Sequence, residues 1–371
     1  MTLGRGLIRV GLVGYGFVGR TFHAPLIGAV EGLSLDAVAS SDAGKVRADL
    51  PRVTIYPRPE ELLKDHKVDL VVIATPNETH APLTLAALRA GKHVMLDKPF
   101  ALDLREAREL VAEASRAQRL LCVFHNRRWD SDFLTVQAAI KAGTIGRVTH
   151  FESTIDRFRP QVRDRWRERA MRGGGVWFDL GPHLVDQALQ LFGLPDRVLA
   201  SLACQRDSSL IDDWAHVILF YGEQRVILHT GMLAAGRSPR FVVHGTSGSL
   251  VKQAADQQEL QLIAGMRPGD AGWGEDPDPI IIHGGDGALR QLPAVAGDQQ
   301  RIYAGLVAAL NGEGDNPVFP IEALAVTGVI EAAIISARDG VTVGLRLTEE
   351  ECQQWHRKHC RDMTELAGLA E

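Results

Sequence analysis

One short run constrains this chain more than any other. Residues 8–16, IRVGLVGYG, form a brief apolar strand that runs into GYGFVG, residues 14–19. That is the pattern GxGxxG, and a helical stretch from about Val18 to Val30 comes directly after it. Each glycine has a separate reason to be there. Gly14 permits a tight turn, Gly16 lets backbone approach a pyrophosphate, and Gly19 allows close packing of helix on sheet. The helix start supplies free N–H groups and a positive dipole end for phosphates. Gly14, Gly16, Phe17, Val18 and Gly19 are therefore the first candidate contacts to a dinucleotide.

The pattern carries weight because of its setting in the chain. Strand-like segments at 33–42, 69–76, 93–99 and 119–127 alternate with helical ones at 80–92 and 104–117. Such alternation predicts a doubly wound parallel sheet buried on both faces. Beyond about residue 127 the rhythm changes. Long strand-like segments at 147–158, 196–206, 214–221, 224–233 and 240–250 succeed one another with few helices between, and YGEQR (221–225) has the look of a hairpin turn. That predicts a second, open and mostly antiparallel sheet with helices on one face. A helix at 321–340 ends at Gly340. The expected organisation is a nucleotide-binding domain over 1–125, a substrate-binding and oligomerisation domain over 126–348, and a helical tail over 349–371.

A formal charge of −5 and 45% hydrophobic residues point to an ordinary globular protein and away from a globally basic nucleic-acid binder. The start of the sequence has no long uncharged apolar run, so neither export signal nor membrane span is expected there. Four cysteines make no disulfide framework, which points to a reducing cytoplasm. Cys352 and Cys360 with His356 and His359 lack zinc-finger spacing, so no metal site is expected.

Ligands of open α/β sheets bind beyond the carboxyl ends of the strands. At the end of the second strand stand Ser40, Ser41 and Asp42, with Lys45 and Arg47 nearby. Small hydroxyls leave room for a 2′-phosphate, which favours NADP over NAD, although Asp42 would repel a phosphate if it pointed inward. At the end of the third strand, Thr75, Pro76 and Asn77 can line a ribose; His80 either joins them or caps a helix. At the end of the fourth, Asp97-Lys98-Pro99 places a cation where alkoxide charge could develop, and Asp97 and Lys98 are also candidate cofactor contacts. The basic stretch 157–172 suits a loop over an anionic cofactor, with Trp166 within it.

GGGVWFDLGPH, residues 173–183, supplies the remaining chemistry. Asp179 and His183 lie one helical turn apart and share a face. The preceding glycines would let backbone approach a ligand. A histidine is the natural proton acceptor near neutral pH. Base, cation and hydride acceptor are the three things alcohol oxidation needs. His183 is the expected base or acid, Lys98 the polarising cation, and Asp179 the group that orients one or the other.

These motifs together resemble the Gfo/Idh/MocA oxidoreductase family. The residues carrying the resemblance are GYGFVG (14–19), ATPNETH (74–80), AGKHVMLDKPF (90–100) and GGGVWFDLGPHLVDQ (173–187), and the likeness covers nearly the whole chain. It implies a Rossmann domain joined to an α/β domain, a catalytic Lys98, and a matching Asp179–His183 pair. The family's usual Glu-Lys-Pro is Asp97-Lys98-Pro99 here, which keeps the carboxylate. HNRRWDSDFLT (125–135), RFRPQVRDRWRE (157–168) and GMRPGDAGWG (265–274) are similar to NADP-dependent scyllo-inositol dehydrogenases. Those relatives often carry Ser-Arg where this chain has Ser40-Ser41. A cyclic polyol or sugar is the expected substrate, held by Asn126, Arg127, Trp129, Asp156, Arg159, Asp179 and His183, with Asp130 and Arg165 as further polar groups. A dihydrodiol-type or sugar oxidoreductase, or a non-catalytic nucleotide sensor on the same fold, is the alternative. No nucleic acid or membrane partner is expected, and the exposed side of the second sheet is expected to pair copies into a homodimer or homotetramer.

Overall fold

The structure, a computed structural model, describes residues 6–236 and 238–367. The ends of the expected segments 1–125 and 349–371, residues 1–5 and 368–371, lie outside the described residues, as does the side chain of Cys360. Six parallel strands build the first sheet: β1 (Ile8–Val13), β2 (Leu33–Ala39), β3 (Thr54–Tyr56), β4 (Leu70–Ile73), β5 (His93–Leu96) and β6 (Leu121–Val123). Their order is β3-β2-β1-β4-β5-β6. The order reverses between β1 and β4, which opens a crevice above their carboxyl ends. Burial of Val10, Leu12, Val71, Val72 and Val94 against helices on both faces holds this layer together.

The structure shortens most of the expected strands at their carboxyl ends. Residues 14–16, 74–76, 97–99 and 124–127 leave the ladder and turn over the sheet's top edge. They follow directly on the apolar strand segments, but are the loops that carry the site. β3 escapes sequence detection because it is a three-residue edge strand. The helix expected from about Val18 to Val30 runs over 17–28, with Gly19–His23 wound as a π-helical turn within it.

Eight strands form the second sheet: β7 (Val148–Asp156), β8 (Arg197–Ala203), β9 (Trp214–Tyr221), β10 (Gln224–Gly231), β11 (Phe241–Gly245), β12 (Gly248–Lys252), β13 (Ile280–Gly284) and β14 (Leu289–Leu292). The order is β14-β13-β12-β11-β7-β10-β9-β8, and only the β7–β10 pair is parallel. The expected single strand at 240–250 is a hairpin of β11 and β12, and β13 and β14 extend the sheet beyond it. Helices Val176–Phe192 and Pro320–Asp339 pack on one face, over Val217, Leu219, Val226 and Leu228. The alternate residues Trp214, His216, Ile218, Ile227 and His229 stay partly exposed on the other face, as period-two alternation requires. Pro320–Asp339 is long and apolar enough to cross a membrane, but it is mostly buried against β8 and helix Val176–Phe192.

The last third of the chain returns to the first sheet's layer. The Tyr303 hydroxyl lies 2.7 Å from His23 Nδ1, and Asn316 Nδ2 donates to the Leu121 carbonyl at 2.8 Å. Leu104 N donates to Glu331 Oε2 at 2.8 Å, and Arg108 pairs with Glu351 at 2.7 Å. The tail helix Glu349–Ala367 docks through Trp355, which is 1% exposed. Trp355→Ala is expected to cost about 3–5 kcal/mol of stability, read as a lower urea midpoint. An unchanged midpoint would mean that the tail helix does not dock.

Candidate active site

Two adjoining cavities lie over the carboxyl edge of the first sheet. The outer one, about 490 Å³, is a groove along the glycine turn. Gly14 sits at φ +96°, where L side chains are strained, and a Cβ there would run into the Ala74 carbonyl. A Cβ at Gly16 would instead point into open space, and one at Gly19 would strike the Gly14 carbonyl. The roles of turn, ligand approach and packing are thus divided among the three glycines as a dinucleotide cradle requires. Phe17, Val18, Thr75, Pro76, Asp97 and Trp166 also line the groove. The residues present fit a dinucleotide.

At the groove's far end are Ser40, Ser41, Asp42 and Lys45. The Asp42 carboxylate accepts the Lys45 backbone N–H at 2.9 Å, capping helix Ala43–Asp49. Ser40 Oγ accepts from Asp42 N at 3.1 Å. The acid is therefore engaged by its own helix.

Asn77 and His80 do not line the groove. Asn77 Nδ2 donates to the Gly173 carbonyl at 2.8 Å. His80 is buried, with Nδ1 2.8 Å from the Pro99 carbonyl oxygen and Nε2 3.0 Å from that of Thr75. Its ring ties the third-strand loop to the Lys98-Pro99 turn, whose peptide bond is cis.

The inner cavity, about 360 Å³, shares Phe17, Val18, Asp97 and Arg167 with the groove. Lys98, Asp179 and His183 all line it. Lys98 Nζ donates to the Asp179 carbonyl oxygen at 2.7 Å and reaches its Oδ1 at 3.3 Å. Arg167 Nε lies 3.2 Å from the same Oδ1. Burial opposes the charge on Asp179, but Lys98, Arg167 and Arg157 outweigh it and hold the carboxyl well below its usual range. Burial pulls Lys98 below the ordinary lysine value, against Asp179 and Asp97. Burial, then Lys98 and Arg127, push His183 well below 6.5, so its ring is neutral at physiological pH. His183 Nδ1 is buried with no hydrogen-bond partner among the described residues. Asp179 thus positions Lys98; its side-chain contacts do not include His183.

Asn126, Arg127 and Arg159 line the inner cavity. Arg127 is held by Asp130 and Glu259, each at 2.9 Å. Its neighbour Arg128 turns away into a buried pair with Asp186 at 2.7 Å, because residues Asn126–Trp129 form a 3₁₀ turn. Arg165 lines the cavity while paired with Glu168 at 2.6 Å. Trp129 and Asp156 are not brought to the cavity. The Trp129 carbonyl accepts Gln258 Nε2 at 3.1 Å, and Asp156 accepts the Ser238 hydroxyl at 2.6 Å. The glycine triplet also has a different job from the one expected. A Cβ on Gly173 would strike Leu102, and one on Gly175 would overlap the Asp212 carboxylate, whose oxygen caps Trp177 N at 2.8 Å. These glycines seat the helix start against protein and not against a ligand. Arg157, Arg163, Glu259 and Ile263 line the cavity as well, and sequence reasoning does not single them out. Glu259 and Ile263 come from a six-residue helix, Gln258–Ile263, whose sequence carries no chemical signature.

A dinucleotide cradle opening onto a lysine, a carboxylate and a neutral imidazole is the architecture of a nicotinamide-dependent oxidoreductase. The chain belongs to the Gfo/Idh/MocA oxidoreductase family. Its NAD-binding Rossmann fold matches residues 8–125, and the C-terminal alpha/beta domain of the family matches residues 137–345. An uncharacterized oxidoreductase of Escherichia coli, YdgJ, is 50% identical over 91% of this chain and 99% of its own length. The NADP-dependent scyllo-inositol 2-dehydrogenase IolW of Bacillus subtilis is 34% identical over 91% and 96%. A crystal structure from Klebsiella pneumoniae superposes with TM-score 0.90 at 53% identity, covering 95% of this chain and 99% of that one.

Gly14→Ala adds the left-handed backbone cost, about 1–2 kcal/mol, to the collision with Ala74. NADPH affinity, followed by fluorescence, is expected to fall at least tenfold. Retained affinity would show that the turn is not what holds the nucleotide.

Proposed function

We propose that this oxidoreductase transfers a hydride between a nicotinamide cofactor and a secondary alcohol or ketone of a cyclic polyol or sugar of the inositol type. The observation that carries the reading is the convergence of Lys98, Asp179 and His183 in the cavity next to the glycine groove. The similarity to IolW supports the polyol class.

In this reading the groove residues Gly14, Gly16, Val18, Thr75 and Pro76 hold the dinucleotide, whose nicotinamide accepts or returns the hydride. Lys98, steadied by Asp179, donates a hydrogen bond to the reacting oxygen and stabilises its alkoxide character. His183, neutral in the resting site, takes the hydroxyl proton during oxidation and returns it during reduction. Asn126 and Arg127 orient the remaining hydroxyls.

NADP is the favoured cofactor. Asp42 is engaged as a helix cap, while Ser40, Ser41 and Lys45 present hydroxyls and a cation to a 2′-phosphate. The partly exposed face of the second sheet, with Trp214, Ile218 and Ile227, is the surface through which copies would pair as a dimer or tetramer. Cysteine usage supports a reducing, cytoplasmic setting.

Three measurements test this. Lys98→Ala and His183→Ala are each expected to lower kcat for polyol oxidation about 100-fold or more while NADPH still binds; unchanged turnover overturns the mechanism. Since the active form of His183 in oxidation is neutral and its pKa lies below 6.5, kcat/KM should be level near pH 7. It should fall only as pH drops below 6.5, with an alkaline limb below 10.5 as Lys98 loses its proton. An acid limb above pH 7 would point to another base. Ser41→Asp is expected to shift preference from NADPH toward NADH about tenfold or more by like-charge repulsion; no shift would place the 2′-phosphate elsewhere.

A further inference from the structure

Within that dehydrogenase reading, we propose that the natural substrate carries an acidic group, a carboxylate or a phosphate ester, bound by Arg157, Arg159 and Arg163. Backbone geometry aims two of these side chains. After β7 the chain stays extended. Arg157 N donates to the Gly231 carbonyl at 2.9 Å and Arg159 N to that of Met232 at 2.8 Å. Phe158 bridges to Leu233. Alternation along an extended segment puts residues i and i+2 on one side. Arg157 and Arg159 accordingly both face the inner cavity, while Phe158 is 58% exposed on the other side. Asp156 has the parity of Phe158 and is kept out for the same reason. Arg163 joins the two arginines in lining the cavity.

The cavity's charges do not balance. Seven cationic side chains line it against three carboxylates, Asp97, Asp179 and Glu259. Lys98 and Arg167 share Asp179, Arg127 takes Glu259 and Asp130, and Arg165 takes Glu168. Among the described residues, the guanidinium groups of Arg157, Arg159 and Arg163 form neither an ion pair nor a hydrogen bond. Burial lowers Arg157 despite the pull of Asp179 and Glu259, and burial together with Arg157, Arg163 and Arg165 lowers Arg159. Arginine does not give up its proton in proteins, so Arg157 and Arg159 stay cationic in a cavity that disfavours their charge. A wholly neutral polyol would leave that charge in place. A carboxylate or phosphate would neutralise it through paired N–H donors, the geometry guanidinium groups bind best.

The cofactor's own phosphates do not account for the three arginines. Its cradle is the Gly14–Gly19 turn in the outer groove. Trp166 and Arg167 of the same loop line that groove, whereas Arg157, Arg159 and Arg163 line the inner cavity alone.

Calorimetric titration of the protein, with and without saturating NADPH, would compare D-glucuronate and glucose 6-phosphate with D-glucose and scyllo-inositol. At least one acidic probe is expected to bind ten- to a hundredfold more tightly than its neutral counterpart. That advantage should shrink as NaCl is raised from about 50 to 300 mM, and the tighter acid identifies carboxylate or phosphate as the group recognised. In Arg159→Ala and in Arg163→Ala the acid-to-neutral ratio should fall about tenfold. Equal affinity for acidic and neutral probes, binding of neither class, or a preference that survives the Arg159→Ala/Arg163→Ala double variant overturns the proposal. Preferential acid binding with no hydride transfer from any probe to NADP+ would leave the anion site standing and remove the dehydrogenase reading. Turnover of neutral polyols with no acid preference would do the reverse.

Discussion

The contact on which the rest of the site depends is the one between Lys98 and Asp179. Lys98 stands at the carboxyl end of β5 in the first sheet, and Asp179 in the first turn of a helix that packs on the second. Burial opposes both charges, and each offsets that cost for the other, with Arg167 helping Asp179 and Asp97 helping Lys98. A lone buried ammonium or carboxylate is strongly disfavoured, and removing one partner weakens the compensation of the other. The pair therefore fixes the distance between the two domains at the point where chemistry would occur. It also adds to the local field: burial first, then the lysine and nearby arginines, suppress protonation of His183, which stays a base.

Around that contact lies a set of hydrogen bonds whose donors could be mistaken for ligand-binding groups. His80 joins two loops of the first sheet, and Asn77 joins that sheet to Gly173. Their polarity is spent on backbone carbonyls. Asp186 is likewise engaged within the protein: its carboxylate accepts from the Arg128 guanidinium in the core. Such residues hold the catalytic groups in register without touching a reactant, and a substitution there would misplace Lys98 or the helix start instead of deleting a functional group.

Much of this is legible in the sequence. The alternation of apolar strands and helices defines the first sheet, and GYGFVG falls where the strand order reverses. Lys98, Asp179 and His183 are recognisable because their chemistry is rare at a strand end or a helix start. Parity is harder to see. Trp129 and Asp156 have the composition of sugar-binding residues, but a 3₁₀ turn and the alternation of β7 point them elsewhere. Arg157, one residue beyond Asp156, faces inward for the same reason. Which residue of an extended pair meets the ligand depends on register with β10, and register is a long-range property. Glu259 illustrates a further limit: it reaches the site from more than 70 residues beyond His183, and no local pattern marks it.

The return of the chain's last third to the first sheet has a mechanical meaning. The domain order in sequence suggests two bodies joined at one point near residue 125, free to swing. The bonds from Tyr303, Asn316, Glu331 and Glu351 back to the first layer make a second and broader attachment. Rotation of one sheet away from the other would have to break them together, along with the burial of Trp355. Joined along two seams, the halves act as one body, so the spacing between groove and inner cavity is laid down when the chain folds and need not be created by a ligand.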